Sequence, residues 1–138
     1  MVRELGSSSS TEVSWRMRVA RLFALDVLVV VVFVVIGRRN HGEDGKAAGF
    51  FRVAAPFLLA LAGAWVSGRK RWASAAHWRY GIVIWVFTVA MGLLLRRVVF
   101  HNGTAVAFVI VATLFLGLGL VGLRVVSGVL AARKIASS

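Results

Sequence analysis

The sequence predicts an all-α integral membrane protein, a four-helix bundle with both termini in the cytoplasm. Three observations carry that prediction. Of 138 residues, 59% are hydrophobic, above the roughly 45–50% apolar share of soluble domains, and a chain this short cannot hide the excess in a water-soluble core. The apolar residues gather into four runs, each near the roughly 20 residues that a bilayer helix needs. Short links of Arg, His, Gly and Asn separate the runs.

The elements follow in chain order. Residues 1–18 form a tail, with Gly6, Ser7 to Ser10 and Thr11 at its centre; this polar, low-complexity composition is expected to be disordered or to lie at the interface. A cleaved secretory signal is not expected, because the apolar run is too long and Gly37-Arg38-Arg39 is no small-residue cleavage site. Trp15 to Arg21 alternates basic and apolar residues and fits a helix start at a lipid–water boundary. The transmembrane domain spans 19–126. Its first run, 19–37, is rich in Val, a strand former in water, but its length suits a helix.

The link from Arg38 to Lys46 reads as a turn, with Gly42, Glu43, Asp44 and Gly45. The second run is 50–67. Its Pro56 is tolerated if the helix starts nearby and kinks the helix if the start lies well before Arg52. The small residues Ala60, Gly63, Ala64 and Ser67 suit close helix approach. From Arg69 to Tyr80, basic and aromatic residues interleave. Stacking on single-stranded nucleic acid is one use of that pattern, but between two apolar runs it reads as an interfacial belt.

The third run is 80–97 and the fourth is 104–126, joined by His101-Asn102-Gly103-Thr104. Asn102 and Thr104 are read as turn and cap residues, not as a glycosylation acceptor. Gly117, Gly119 and Gly122 suit close packing. A short C-terminal tail, 127–138, ends the chain.

Net charge is +12, from 17 Lys and Arg against 5 Asp and Glu. In the expected topology Arg3, Arg16, Arg18, Arg21, Arg69, Lys70, Arg71, Arg79, Arg124, Arg133 and Lys134 lie on one side, and Arg38, Arg39, Lys46, Arg52, Arg96 and Arg97 on the other. The larger set marks the cytoplasmic face of the plasma membrane, N-in and C-in. Anionic lipid headgroups at that face are its expected partners, together with a second copy or another membrane protein through helix contacts. Nucleic acid is not expected. There is no Cys, which excludes disulfides and thiol chemistry. No cofactor and no metal site are expected, because no ligand spacing is present.

Asp26 is the anomaly within the first run. It lies eleven residues before Gly37, about 16 Å at 1.5 Å per residue, which predicts a place near mid-bilayer. A lone carboxylate there costs roughly 2.5–3.5 kcal/mol on insertion scales, so it should face the bundle interior. Its candidate companions in an intramembrane polar site are Thr88, Arg96 and Arg124. A buried ion pair or hydrogen-bonded acid that fixes helix register is the favoured reading; a proton or cation coupling site is the alternative. A second candidate, an outer-face anion site, comprises Arg38, Arg39, His41, Arg52, Arg96 and Arg97. Paired guanidinium groups match phosphate geometry, so a phosphorylated lipid is one candidate guest, weighed evenly against snorkelling and pairing with Glu43 and Asp44.

These motifs resemble a family of small prokaryotic membrane proteins known as domain of unknown function 3054. The likeness runs from about Leu22 to Arg124. It rests on an acid early in the first run (Asp26), then Gly37, Arg38, Arg39 and His41. Pro56-Phe57 follows in the second run, Thr88, Gly92, Leu95 and Arg96 in the third, and Gly103, Thr104 and Phe108 in the fourth. The usual Gly-Trp-Arg ending is here Gly122-Leu123-Arg124, which loses an interfacial aromatic and keeps the Arg. The resemblance implies four spans and gives no activity. With no nucleophile–base–acid arrangement, an enzyme is not expected. The favoured expectation is a structural or accessory membrane component; a small transporter coupled through Asp26 and a handler of phosphorylated lipid are the alternatives.

Overall fold

The computed structural model describes residues 2–40, 47–74, 76–99, 101 and 105–138, and every regular element among them is helical. Helix α1 is Val2–Asn40, α2 is Ala47–Ser67, α3 is Trp78–Val98 and α4 is Val106–Ala136, with a 3-10 turn at Arg69–Ser74 between α2 and α3. All four α-helices are long and apolar enough to cross a bilayer. With 21 residues each, α2 and α3 are about 32 Å long, close to the ~30 Å of a hydrocarbon core. At 39 and 31 residues, α1 and α4 are longer, about 58 Å and 46 Å.

The surplus length falls in the two tails. Residues 2–18, expected to be disordered or interfacial, belong to α1. Although Ser and Thr weaken a helix, no Pro stands between Val2 and Asn40, and nothing breaks the hydrogen-bond ladder. Likewise the C-terminal tail expected at 127–138 is helical as far as Ala136. Helix α2 starts at Ala47, so Pro56 lies in its interior. It supplies no N–H to the carbonyl of Arg52, the arrangement that bends a helix. The expected turn residues 41–46 and 102–104, including His41, Glu43, Asp44, Asn102 and Thr104, lie outside the described residues.

Each helix packs antiparallel on the next, and α4 returns to α1. Contacts between α1 and α4 run from Asp26–Arg124 to Phe33 against Phe115 and Phe108. Those between α1 and α2 run from Phe23–Trp65 to Phe33–Phe57. The middle of the bundle is Val30, Leu61, Ile84 and Leu116, all sealed. No more than 33% of any candidate span is buried, and Leu28, Leu59, Val83, Leu94, Leu114 and Leu118 are exposed on the periphery. That ring of apolar side chains suits lipid as its solvent.

Hydrocarbon tails are as apolar as Leu, so burial from water drives helix pairing in a bilayer only weakly, and close van der Waals fit must hold the bundle together. Large residues of one helix meet glycines of the next. Phe57 lies against Gly92, where an added Cβ would come within 2.5 Å of the ring. Trp85 lies over Gly117, where a Cβ would meet the indole at 2.9 Å, and donates from Nε1 to the Thr113 carbonyl at 2.9 Å. Val29 closes on Gly119. The close packing expected of the α4 glycines is present at Gly117 and Gly119; at Gly122 a Cβ would meet nothing within 4 Å.

Because Phe57 fills the space beside Gly92, Gly92→Val should overpack the α2–α3 contact and destabilise the fold by about 1–3 kcal/mol. Adding Phe57→Leu should recover part of that loss. Unfolding midpoints of the two single variants and the double variant in detergent check the coupling; strict additivity would show that the two residues do not share this space.

Candidate functional site

Asp26 faces the interior of the bundle, 1% exposed, as does Arg124. The guanidinium grips the carboxylate in a fork: Nη1 donates to Oδ1 at 2.8 Å and Nη2 to Oδ2 at 2.8 Å. Trp65 on α2 donates from Nε1 to Oδ2 at 3.0 Å. The same Nη1 also donates to the Leu120 carbonyl, one turn back along α4, at 2.7 Å. Two parallel charge-assisted bonds fix distance and angle together, and the indole and carbonyl satisfy further polar atoms that burial would otherwise leave costly.

Helix α3 contributes space. At Gly81 an added Cβ would lie 2.6 Å from Cδ of Arg124 and 3.2 Å from the Leu120 carbonyl, so the guanidinium reaches Asp26 only because this position carries no side chain. Next to it, Tyr80 donates its hydroxyl to the Gly68 carbonyl at 3.2 Å and packs edge-on against Trp65. The site thus draws on all four helices.

Its depth differs from the expected one. Trp65 stands two residues before the end of α2, and Gly81 three residues after the start of α3. The pair therefore lies about one helical turn inside the end of the bundle that carries the 3-10 turn, not at the bundle's middle. Measuring from Gly37 misplaced it, because α1 runs on past Gly37 to Asn40 and it is Phe33, packed on Phe57 midway along α2, that lies near the middle of the bundle. Arg124 can meet Asp26 because both sit near this boundary.

The other expected companions lie elsewhere. Thr88 is fully buried, but on the α3 stripe Ile84–Thr88–Gly92, seven residues or about 10 Å along from Gly81. Its hydroxyl makes no hydrogen bond among the described residues. Arg96 is near the opposite end of the bundle, its guanidinium 4.4 Å from the centre of the Phe108 ring, a cation–π distance. Of the outer-face set, Arg38 is half-buried with its guanidinium against Gly49, and Arg39, Arg52 and Arg97 are exposed. His41 lies outside the described residues. Among the described residues no group of His, Cys, Asp and Glu is placed to hold a metal ion.

The sequence alone pointed to neither Trp65, Tyr80 nor Gly81 as part of the site. The signal available was position: an aromatic near a helix end suits a membrane boundary, but that rule does not tell whether the ring turns inward.

Residues 23–127 match the model of the family described as Protein of unknown function (DUF3054), and the chain belongs to that family. No curated protein and no solved structure matches it.

Two outcomes follow from this geometry. Arg124→Leu should destabilise the bundle by about 3–5 kcal/mol, since it strands a buried carboxylate, whereas Asp26→Leu with Arg124→Leu should regain most of that loss. Unfolding in detergent measures both, and a double variant no more stable than Arg124→Leu would contradict the account. Thr88→Val removes a buried hydroxyl without a bond at nearly constant volume. It should leave stability unchanged or raise it by about 1 kcal/mol, and a marked loss would reveal a polar role for Thr88.

Proposed function

We propose that this family member is a structural or accessory component of the plasma membrane, with both termini in the cytoplasm, and not an enzyme. The observation that carries the reading is the state of Asp26. An acid that couples transport must exchange protons or cations with water, but both of its carboxylate oxygens are bonded to Arg124 or Trp65 within a site that is 1% exposed. Such a group serves to set helix register, the best attested use of a buried ion pair. The apolar periphery is then left for lipid, a second copy or another membrane protein.

The bias of basic residues supports the orientation. Arg16, Arg18, Arg21, Arg69, Lys70, Arg71 and Arg79 are exposed at the end that also carries both termini, and cations concentrate at the cytoplasmic face. Handling of a phosphorylated lipid at the opposite end has less support, because the Arg96 guanidinium is engaged by Phe108 and that of Arg38 packs against Gly49.

Purification in a mild detergent should recover the protein in a stable stoichiometric assembly with itself or another membrane protein, read by light scattering; a monomer under all mild conditions would overturn the accessory role. In proteoliposomes wild type and Asp26→Asn should show the same proton flux, and a wild-type flux lost in the variant would establish coupling through Asp26 instead. The absence of Cys makes the topology easy to read. A single Ser137→Cys should resist an impermeant maleimide in intact cells and react in inverted vesicles, and the reverse pattern would place the termini outside.

A further inference from the structure

A lateral groove of about 540 Å³ runs between α1 and α2 just beyond the buried ion pair, within the ~300–1,000 Å³ typical of small-molecule sites. Trp15, Val19 and Phe23 form one wall, at helical spacing along α1, and Ala62, Trp65 and Val66 of α2 form the other. Trp15, Phe23 and Val66 keep 40%, 36% and 59% of their surface exposed, so the groove is open and greasy. Its mouth is basic. Arg16 lines it directly, with its guanidinium 5.7 Å from the centre of the Trp15 ring.

Three residues after Val66 the chain enters the 3-10 turn, whose Arg69, Lys70 and Arg71 are exposed and which packs against α1. Arg18 and Arg21 are exposed on the same stretch of α1. An apolar cleft thus passes within a few residues into a cluster of cations, with no acidic side chain among the described residues that line it. It lies at the end of α2, where the hydrocarbon zone gives way to headgroups. One molecule combines an apolar chain with an anion at that depth. We propose that the groove binds an anionic phospholipid, one acyl chain lying against Val19, Phe23 and Val66 and the phosphate held by Arg16 and the basic residues of the 3-10 turn.

The site rests on membrane residence and is independent of the accessory role. A purely apolar groove between α1 and α4, lined by Leu25, Phe115 and Gly122 among others, has no such cations and serves as the control.

The test is native mass spectrometry of the full chain titrated with phosphatidylglycerol or phosphatidylcholine of matched chain length. Wild type should hold the first phosphatidylglycerol more tightly. Ala62→Trp, which fills the groove, should abolish that preference. Arg16→Gln should weaken it about fivefold, the effect of one cation near an anionic surface, and rising salt should weaken it further. Gly122→Leu, in the control groove, should leave it intact. Equal binding of the two lipids, or a preference that survives both Ala62→Trp and Arg16→Gln, would overturn the proposal. So would binding of an acidic amphipathic peptide in place of lipid. Should Ala62→Trp not fold, Arg16→Gln and the salt titration still decide.

Discussion

A guanidinium and a carboxylate buried together inside an apolar bundle leave the helices little freedom in how they meet. The fork between Arg124 and Asp26 has one low-energy distance and one plane, and it joins the first helix to the last across nearly the whole sequence. Shifting α4 along α1 by a single residue, 1.5 Å, would break at least one of its two bonds. A carboxylate left alone there would cost roughly 2.5–3.5 kcal/mol even on the mildest membrane scales. Van der Waals contacts between aliphatic side chains carry no comparable penalty for a slip, and lipid can replace them almost evenly. The ion pair therefore acts chiefly as a register device. Its net contribution to stability over a well-packed apolar substitute is small or negative.

The remaining helices are fitted to that register. Trp65 brings α2 into place by donating to Asp26, and α3 does so by having no side chain at Gly81 where Arg124 passes. Further along, the same matching of bulk with absence recurs where Phe57 meets Gly92 and Trp85 meets Gly117. These contacts lie on different levels of the bundle and involve different helix pairs. Together they specify one arrangement with little polar material, as a bundle in hydrocarbon requires.

The four spans were legible in the sequence, because length and hydropathy alone decide whether a helix can cross a bilayer. That Asp26 must turn inward, protonated or paired, was legible too, from the penalty on a lone charge. The partner was not. Arg96 and Arg124 both end apolar runs, and the choice between them depends on which helices adjoin and how far each projects past the boundary. Measuring depth from Gly37 failed because Gly37 does not end the span: α1 runs on to Asn40, and Phe33 rather than Asp26 lies level with the middle of α2. Trp65 was invisible for a related reason. Hydropathy gives an aromatic residue a depth but no azimuth, and only the packed neighbours Phe23 and Tyr80 fix which way the ring faces.

Trp65 has a second consequence. One edge of its indole holds Asp26, while the residue also forms part of the wall of the α1–α2 groove. Whatever fills that groove presses on a side chain bonded to the register pair, so the lipid-facing surface and the buried charges are one contact apart. Such proximity does not by itself make a switch, which needs a second arrangement of comparable energy. The fork, the indole bond and the absent side chain at Gly81 favour the arrangement seen here. A chain packed against Val19 and Phe23 would add contacts to the same state without competing with it. Occupancy of the groove should therefore act as reinforcement, making the surrounding bilayer part of what holds α1 and α2 together.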